Sequence, residues 1–371
     1  MTRLLLAGGG HSHVEVLRRF AAAPPAEVEM VLVSPSPRLL YSGMVPGVIA
    51  GHYTRRDAEI DLAPLAARAG ARFVAAAVTA LDPAARAAML DDGSVLAFDV
   101  ASLDVGASAG SGLGGADAHA IAARPLEALL TAWARMREDA ARGAVRAVAI
   151  VGGGIAAIEI ACAVRHRFRA DLGPGAPAVA LVTDEATLGA RQPDGVRRRL
   201  VRIVEAHAIA VHAGSAAESI DADGVRLAHG GRVAADRVVV ATAALPAAWL
   251  CDGGLACDAR GFVRIGATLR SVSHEAVFAA GDCAVQVDAP RPRAGVYAVR
   301  AGPPLAANLR RALAGQALRA HHPQRTALAL IATGGRYAVA SRPPWSAEGA
   351  WVWRWKDRID RRFVAAYRAD A

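Results

Sequence analysis

The chain has 371 residues and a mass of 38.2 kDa, too long for one ordinary small domain. At 54% hydrophobic and 21% charged residues it excludes a disordered chain and allows a sizeable core. The net charge of +9 is the kind of balance that nucleic-acid or membrane binders show. Yet Lys356 is the only lysine, and alanine makes up about a quarter of the residues. That joint excess of Arg and Ala is what GC-rich coding produces, so net charge alone predicts no nucleic-acid partner.

The chain opens with four apolar residues, Leu4 to Ala7, and then a glycine run. That is too short for a signal-peptide core. No apolar stretch reaches the length of a membrane span. The cysteines, Cys162, Cys251, Cys257 and Cys283, form no C-x-x-C pair and no disulfide framework. Close pairs for structural zinc are also absent. A cytoplasmic, reducing compartment is expected.

Three short apolar runs each end at once in glycine. Residues 3–7 precede Gly8, Gly9 and Gly10; residues 147–151 precede Gly152, Gly153 and Gly154; residues 276–280 precede Gly281 and Asp282. Such runs predict buried parallel strands. Helices are predicted over 14–22 and 156–169, and further strands over 28–34 and 178–183. Each half is then a β-α-β unit with a right-handed crossover, and the two halves look like an internal duplication. Residues 106–115 and 243–250 read as the linkers between them. After Pro323 the composition changes, and Trp345, Trp351, Trp353 and Trp355 fall in this last stretch.

A dinucleotide turn uses glycine for a tight turn, for backbone approach to a pyrophosphate at the helix N-terminus, and for close helix–sheet packing. The first turn reads Gly8-x-Gly10-x-x-His13, with histidine in place of the third glycine. His11 and Ser12 would lie beside the pyrophosphate, and His13 would pack where that glycine usually sits. A metal site at His11 and His13 would need more ligands, and none is suggested nearby. The second turn reads Gly152-x-Gly154-x-x-Ala157, followed by Glu159, with Ile155 opening the helix. Two such turns in strand–turn–helix context are far stronger than one. An acid at the end of the second strand commonly binds the ribose. Ser34 stands there in the first unit; Thr183, Asp184 and Glu185 stand there in the second. These carboxylates either repel a 2′-phosphate and favour NADH over NADPH, or simply face solvent; Arg191 leaves NADPH open.

The third glycine site, residues 277–284 (VFAAGDCA), resembles the flavin motif of the two-dinucleotide-binding flavoproteins. That resemblance gives Asp282, beside Gly281, the ribityl chain of FAD. Residues 104–108 (DVGAS, with Gly106) and 235–243 (ADRVVVATA) are similar to that family's two crossover motifs, the latter with Ala243 where glycine is usual. Segments 8–20 (GGGHSHVEVLRRF), 41–53 (YSGMVPGVIAGHY), 293–313 (RAGVYAVRAGPPLAANLRRAL) and 351–363 (WVWRWKDRIDRRF) resemble a subfamily of the pyridine nucleotide-disulfide oxidoreductases. That subfamily is often fused to selenophosphate synthetase (selenide, water dikinase) and is related to type II NADH dehydrogenases.

The resemblance implies an α/β fold with two Rossmann-like dinucleotide-binding domains. Residues 1–112 and 245–323 would form a discontinuous FAD domain, 113–244 an inserted NAD(P) domain, and 324–371 a segment covering the flavin. It places Tyr41, Ser42, Gly43 and Met44 at the isoalloxazine ring. It sets Val78, at the end of a strand over 72–78, at the adenine. Residues 297–302, with Arg300, would approach the pyrimidine ring ahead of a helix starting near Pro303. Glu159 matches an acid near nicotinamide and flavin; it is alternatively a carboxylate held by the helix dipole. The implied activity is electron transfer from NADH through FAD to a quinone-like or unidentified small acceptor. No redox-active cysteine pair is expected, with Cys162 in the core and Cys283 near the flavin. The alternative is a flavoprotein redox partner of selenophosphate synthetase in selenium metabolism. The C-terminal segment combines aromatics with six basic and three acidic residues over 351–371. Ile359, Phe363 and Tyr367 predict one helical face, suited to peripheral contact with the inner membrane surface, to the flavin domain or to a dimer.

Overall fold

The computed structural model describes residues 1–107, 112–242 and 245–368. Ser108 and Ala243, which close the two crossover motifs, lie outside the described residues. Two five-stranded parallel sheets organise the chain. The first runs in the order Val277–Ala279, Val100–Leu103, Thr2–Ala7, Val28–Val33, Ala71–Val74. The second runs Ala120–Ala122, Arg237–Val240, Ala147–Val151, Ala178–Val182, Ala210–His212. In each, the glycine-tailed strand is third of five. Chain order reverses there, and a crevice opens at the carboxyl ends of the strands. Helices His11–Ala22 and Ile155–Leu172 leave the two turns as crossovers. The central strands are apolar on both faces; Leu4, Leu5, Leu6, Val148 and Ile150 are all buried. This is the doubly Rossmann-like α/β fold that the repeated motifs predict.

Each unit also carries an antiparallel three-stranded meander, residues 78–97 in the first and residues 217–234 in the second. A third antiparallel sheet, Ala329–Ala332, Ala338–Arg342 and Trp345–Gly349, leads into the helix Ala350–Ala365.

Several sequence expectations are corrected. Val78 does not end the strand after Arg72. That strand stops at Val74, and Val78 begins the meander. No helix starts at Pro303: one helix runs through Gly295–Leu313 with Pro303 and Pro304 inside it. The prolines cannot donate to the carbonyls of Val299 and Arg300. A buried stripe of Ala298, Ala301, Leu305 and Leu309 continues through them and outweighs that loss. Gly302 lies under Glu15 and Ser12, where a Cβ would fall 2.6 Å from that of Glu15, so the helix packs closely on His11–Ala22. In the last helix Ile359 is exposed. The buried face is instead Val352, Lys356, Asp360 and Val364, followed by Tyr367. Cys251 and Cys257 are paired as a disulfide, with Cα atoms 5.9 Å apart.

Candidate functional site

At the first turn, Gly10 is the N-cap of the helix and has no side chain to cap it. The cap comes from across the sheet. One Asp104 carboxylate oxygen accepts the N–H groups of Ser12 (2.7 Å) and His13 (3.2 Å). Gly8 stands at φ +92° against the Asp104 carbonyl, a position only glycine occupies without strain. His13 fills the third-glycine place. Its Nδ1–H donates to the Gly8 carbonyl at 2.6 Å, and its Nε2 meets the Ser102 hydroxyl at 2.8 Å. Burial holds His13 neutral, lowering its pKa to about 4. Desolvation likewise lowers His11 to about 4, with Asp282 opposing and Arg124 adding.

Ser34 is buried beside Gly9, its hydroxyl donating to Ser36. The Ser42 hydroxyl lies near Gly295, and Gly43 lies against the Tyr41 ring. Gly106 sits in open space at φ +69°. Gly281 and Asp282 border an open cleft that also takes in Arg293, Ala294, Tyr297 and Ala298. Asp282 pairs with Arg124 at 2.9 Å. Arg300 is exposed and donates to Gln324. Arg291 and Arg293 line this cleft, and Arg124 reaches its edge through Asp282. Val78 is buried at the start of its strand.

At the second turn, Gly152 lies against the Ala241 carbonyl, while Gly154 faces open space and Ile155 begins the helix. Asp184 is exposed. Glu185 instead turns back over Gly153, 3.0 Å from where its Cβ would be. Glu159 is half-buried, and its Oε1 accepts the Ala332 N–H at 2.8 Å. Desolvation, opposed by Lys356, pushes its carboxyl up to about 7. A carboxylate held chiefly by the helix dipole would shift the other way.

The C-terminal helix joins the two units. Lys356 donates to the Gly43 carbonyl at 2.6 Å and to Asp360. Phe363 stacks on Tyr41, ring centroids 4.4 Å apart, and reaches His11. Tyr41, Gly43, His11 and the Glu159 side of the second unit thus meet under one helix. Cys162 and Cys283 are buried thiols pushed up to about 12 by desolvation. The residues lining the cleft at Asp282 include neither Cys251 nor Cys257.

The residues fit two dinucleotides. Among the described residues, His11 Nε2, Arg293 Nε and Gln324 Nε2 are sealed from solvent without a hydrogen-bond partner. These nitrogen groups, around the first turn and cleft, suit a ligand rich in phosphate and carbonyl oxygens. At the second turn the partnerless buried atom is an acceptor, Glu185 Oε2, as ribose hydroxyls require.

Residues 2–302 match the family model described as pyridine nucleotide-disulphide oxidoreductase. No curated protein matches the chain. Among solved structures, the sulfide:quinone oxidoreductase of Aquifex aeolicus superposes with a TM-score of 0.83 at 17% identity, covering 100% of this chain and 92% of that one. NDH2 of Plasmodium falciparum, in complex with NADH, gives 0.81 at 11% identity, covering 99% and 97%. A ferredoxin reductase of Rhodopseudomonas palustris gives 0.76 at 18% identity, covering 92% and 82%. No helix among the described residues is long and apolar enough to cross a membrane. The chain belongs to the pyridine nucleotide-disulphide oxidoreductase family and is an FAD-dependent oxidoreductase that uses NAD(P)H.

Proposed function

We propose that this enzyme passes electrons from NADH through FAD to a small quinone-like acceptor, without a cysteine relay. When bound, the nicotinamide supplies a hydride and the flavin accepts it. Residues 1–112 and 245–323 would hold the FAD, 113–244 the NADH, and 324–371 would cover the flavin. Gly8, Gly10, His11 and Ser12 would hold the pyrophosphate, Asp282 the ribityl chain, and Ser42 and Gly43 the ring. Gly152, Gly154 and Ile155 would hold the nicotinamide dinucleotide, with Glu185 rather than Asp184 at the ribose. Glu159 would orient the nicotinamide and exchange a proton near neutral pH.

The observation carrying this reading is Lys356. It bonds the Gly43 carbonyl, and its charge acts on Glu159, which supports reading these two residues as parts of one site. The test is anaerobic reduction by NADH, followed by a panel of quinones, disulfides, selenium species and oxygen. Fast reoxidation by quinones alone supports the reading. Reoxidation only by selenium species, with binding to selenophosphate synthetase, would favour the selenium-linked alternative.

The outer face of the last helix supports a peripheral membrane contact. Trp351, Trp355 and Ile359 are exposed one turn apart, beside Arg354, Arg358 and Arg362. An apolar row edged by arginines suits an anionic lipid surface.

A further inference from the structure

The strand lying beside each glycine turn is placed alike, but the residue that follows it differs. In the first, the strand Val100–Leu103 lies beside the glycine strand, and the next residue, Asp104, donates its N–H to Ala7 at 2.9 Å. In the second, Arg237–Val240 lies beside the glycine strand, and the next residue, Ala241, donates its N–H to Val151 at 2.9 Å. The carbonyl of each packs on the first glycine of its turn. One of these equivalent places therefore carries a carboxylate and the other a methyl group.

That carboxylate lies where a dinucleotide's phosphate would go. It holds the Ser12 and His13 N–H groups, and it stands against both Gly10 and Gly281, where a Cβ would collide with it. Gly154 of the second turn has nothing within 4 Å. The groups facing Asp104 do not neutralise it. From the helix it caps come His13, whose two ring nitrogens are both engaged, and His11. From the segment Gly281–Cys283 come Asp282 and the Cys283 thiol. The helix Gly295–Leu313 presents Ala298. The nearby cation, Arg124, is taken by Asp282 at 2.9 Å.

We propose that Asp104 is a built-in anion at the phosphate position of the first turn, so that this chain takes up FAD together with one proton on Asp104. The inference rests on the first turn being the FAD site. A pyrophosphate brought beside an ionised, desolvated carboxylate meets like-charge repulsion in a medium of low dielectric. Protonated, Asp104 still accepts the Ser12 N–H through one oxygen and offers its O–H to a phosphate oxygen. Burial, with Asp282 adding, already raises the carboxyl to about 7 against the two N–H bonds. The bound pyrophosphate raises it further. The proton comes from solvent, so affinity falls as pH rises above the flavin-free value. His11 and His13 titrate near 4 and Cys283 near 12, outside that window.

The test is FAD binding to the full chain stripped of flavin, followed by fluorescence quenching between pH 6 and 9. The dissociation constant is expected to be flat at the acid end and to rise about tenfold per unit above pH 7. Calorimetry in buffers of different ionisation enthalpy should then show close to one proton taken up per FAD at pH 8.5; this needs no variant. Asp104→Asn, with NADH binding at the second turn confirming its fold, should bind FAD with a flat profile. At pH 8.5 it should bind at least about tenfold more tightly than the parent. A flat parent profile, absent proton uptake, or an Asp104→Asn profile parallel to the parent's would overturn the proposal. Failure to bind FAD at any pH would instead overturn the assignment of the turn, and the proposal with it.

Discussion

Glu185 and Asp184 are neighbours of like charge in different surroundings. Asp184 points to solvent, whereas Glu185 lies over the second glycine turn with one oxygen lacking a partner. A ribose with free hydroxyls satisfies that oxygen; a 2′-phosphate opposes its charge. Replacing Glu185→Gln should therefore improve NADPH binding by about tenfold, while NADH binding changes less, since the amide retains an acceptor. Asp184→Asn should leave the ratio of the two affinities nearly unchanged. Fluorescence titration of both nucleotides on each variant measures this. Sequence alone showed two acids at the strand end. Which one turns inward depends on the loop geometry that bonds the Glu185 N–H to the Thr183 hydroxyl.

At the scale of elements, the helix Ala350–Ala365 carries charge within its buried face and aromatics on its exposed one. Its inner face carries the Lys356–Asp360 ion pair, and its outer face carries Trp351, Trp355 and Ile359. The apolar spacing of Ile359, Phe363 and Tyr367 predicted one shared face, but Ile359 is exposed while Tyr367 is buried. The Lys356–Asp360 pair is buried. Removing Lys356 alone leaves a buried carboxylate without its cation. Lys356→Met should destabilise the packed helix by about 3 kcal/mol, read from urea unfolding and from faster hydrogen exchange in this helix. The double replacement Lys356→Met with Asp360→Leu should regain most of that stability but not electron transfer. The outer face behaves differently. Trp351→Ser with Trp355→Ser should change stability by less than about 1 kcal/mol, because both rings lie on the partly exposed face of the helix, off its buried stripe. Sedimentation with vesicles containing anionic lipid should fall sharply, and in neutral vesicles should be weak for both proteins.

For the whole molecule, the strand–glycine–helix repeats were legible because local chemistry dictates them. An apolar run bounded by glycine has few other structures available, and two copies in the same order fixed the arrangement of both sheets. What stayed hidden depends on contacts distant in sequence. Asp104 caps a helix that begins at His11. Pro303 and Pro304 continue a helix because its buried stripe packs on His11–Ala22. Arg300 looked like the cation of the flavin cleft, but it is exposed and bonds Gln324; Arg291 and Arg293 line the cleft, and Arg124, from a distant segment, pairs with Asp282 at its edge.

The disulfide gives the central claim its most direct test, because electrons can be counted. FAD takes two electrons from one NADH, and a participating disulfide would take two more from a second. Anaerobic titration of the FAD-loaded chain with NADH, followed by flavin absorbance and by a thiol assay, separates the cases. Electron flow through flavin alone predicts complete bleaching at one equivalent of NADH, no new thiols, and full recovery of colour on adding a quinone. Consumption of two equivalents with the appearance of two thiols would contradict it.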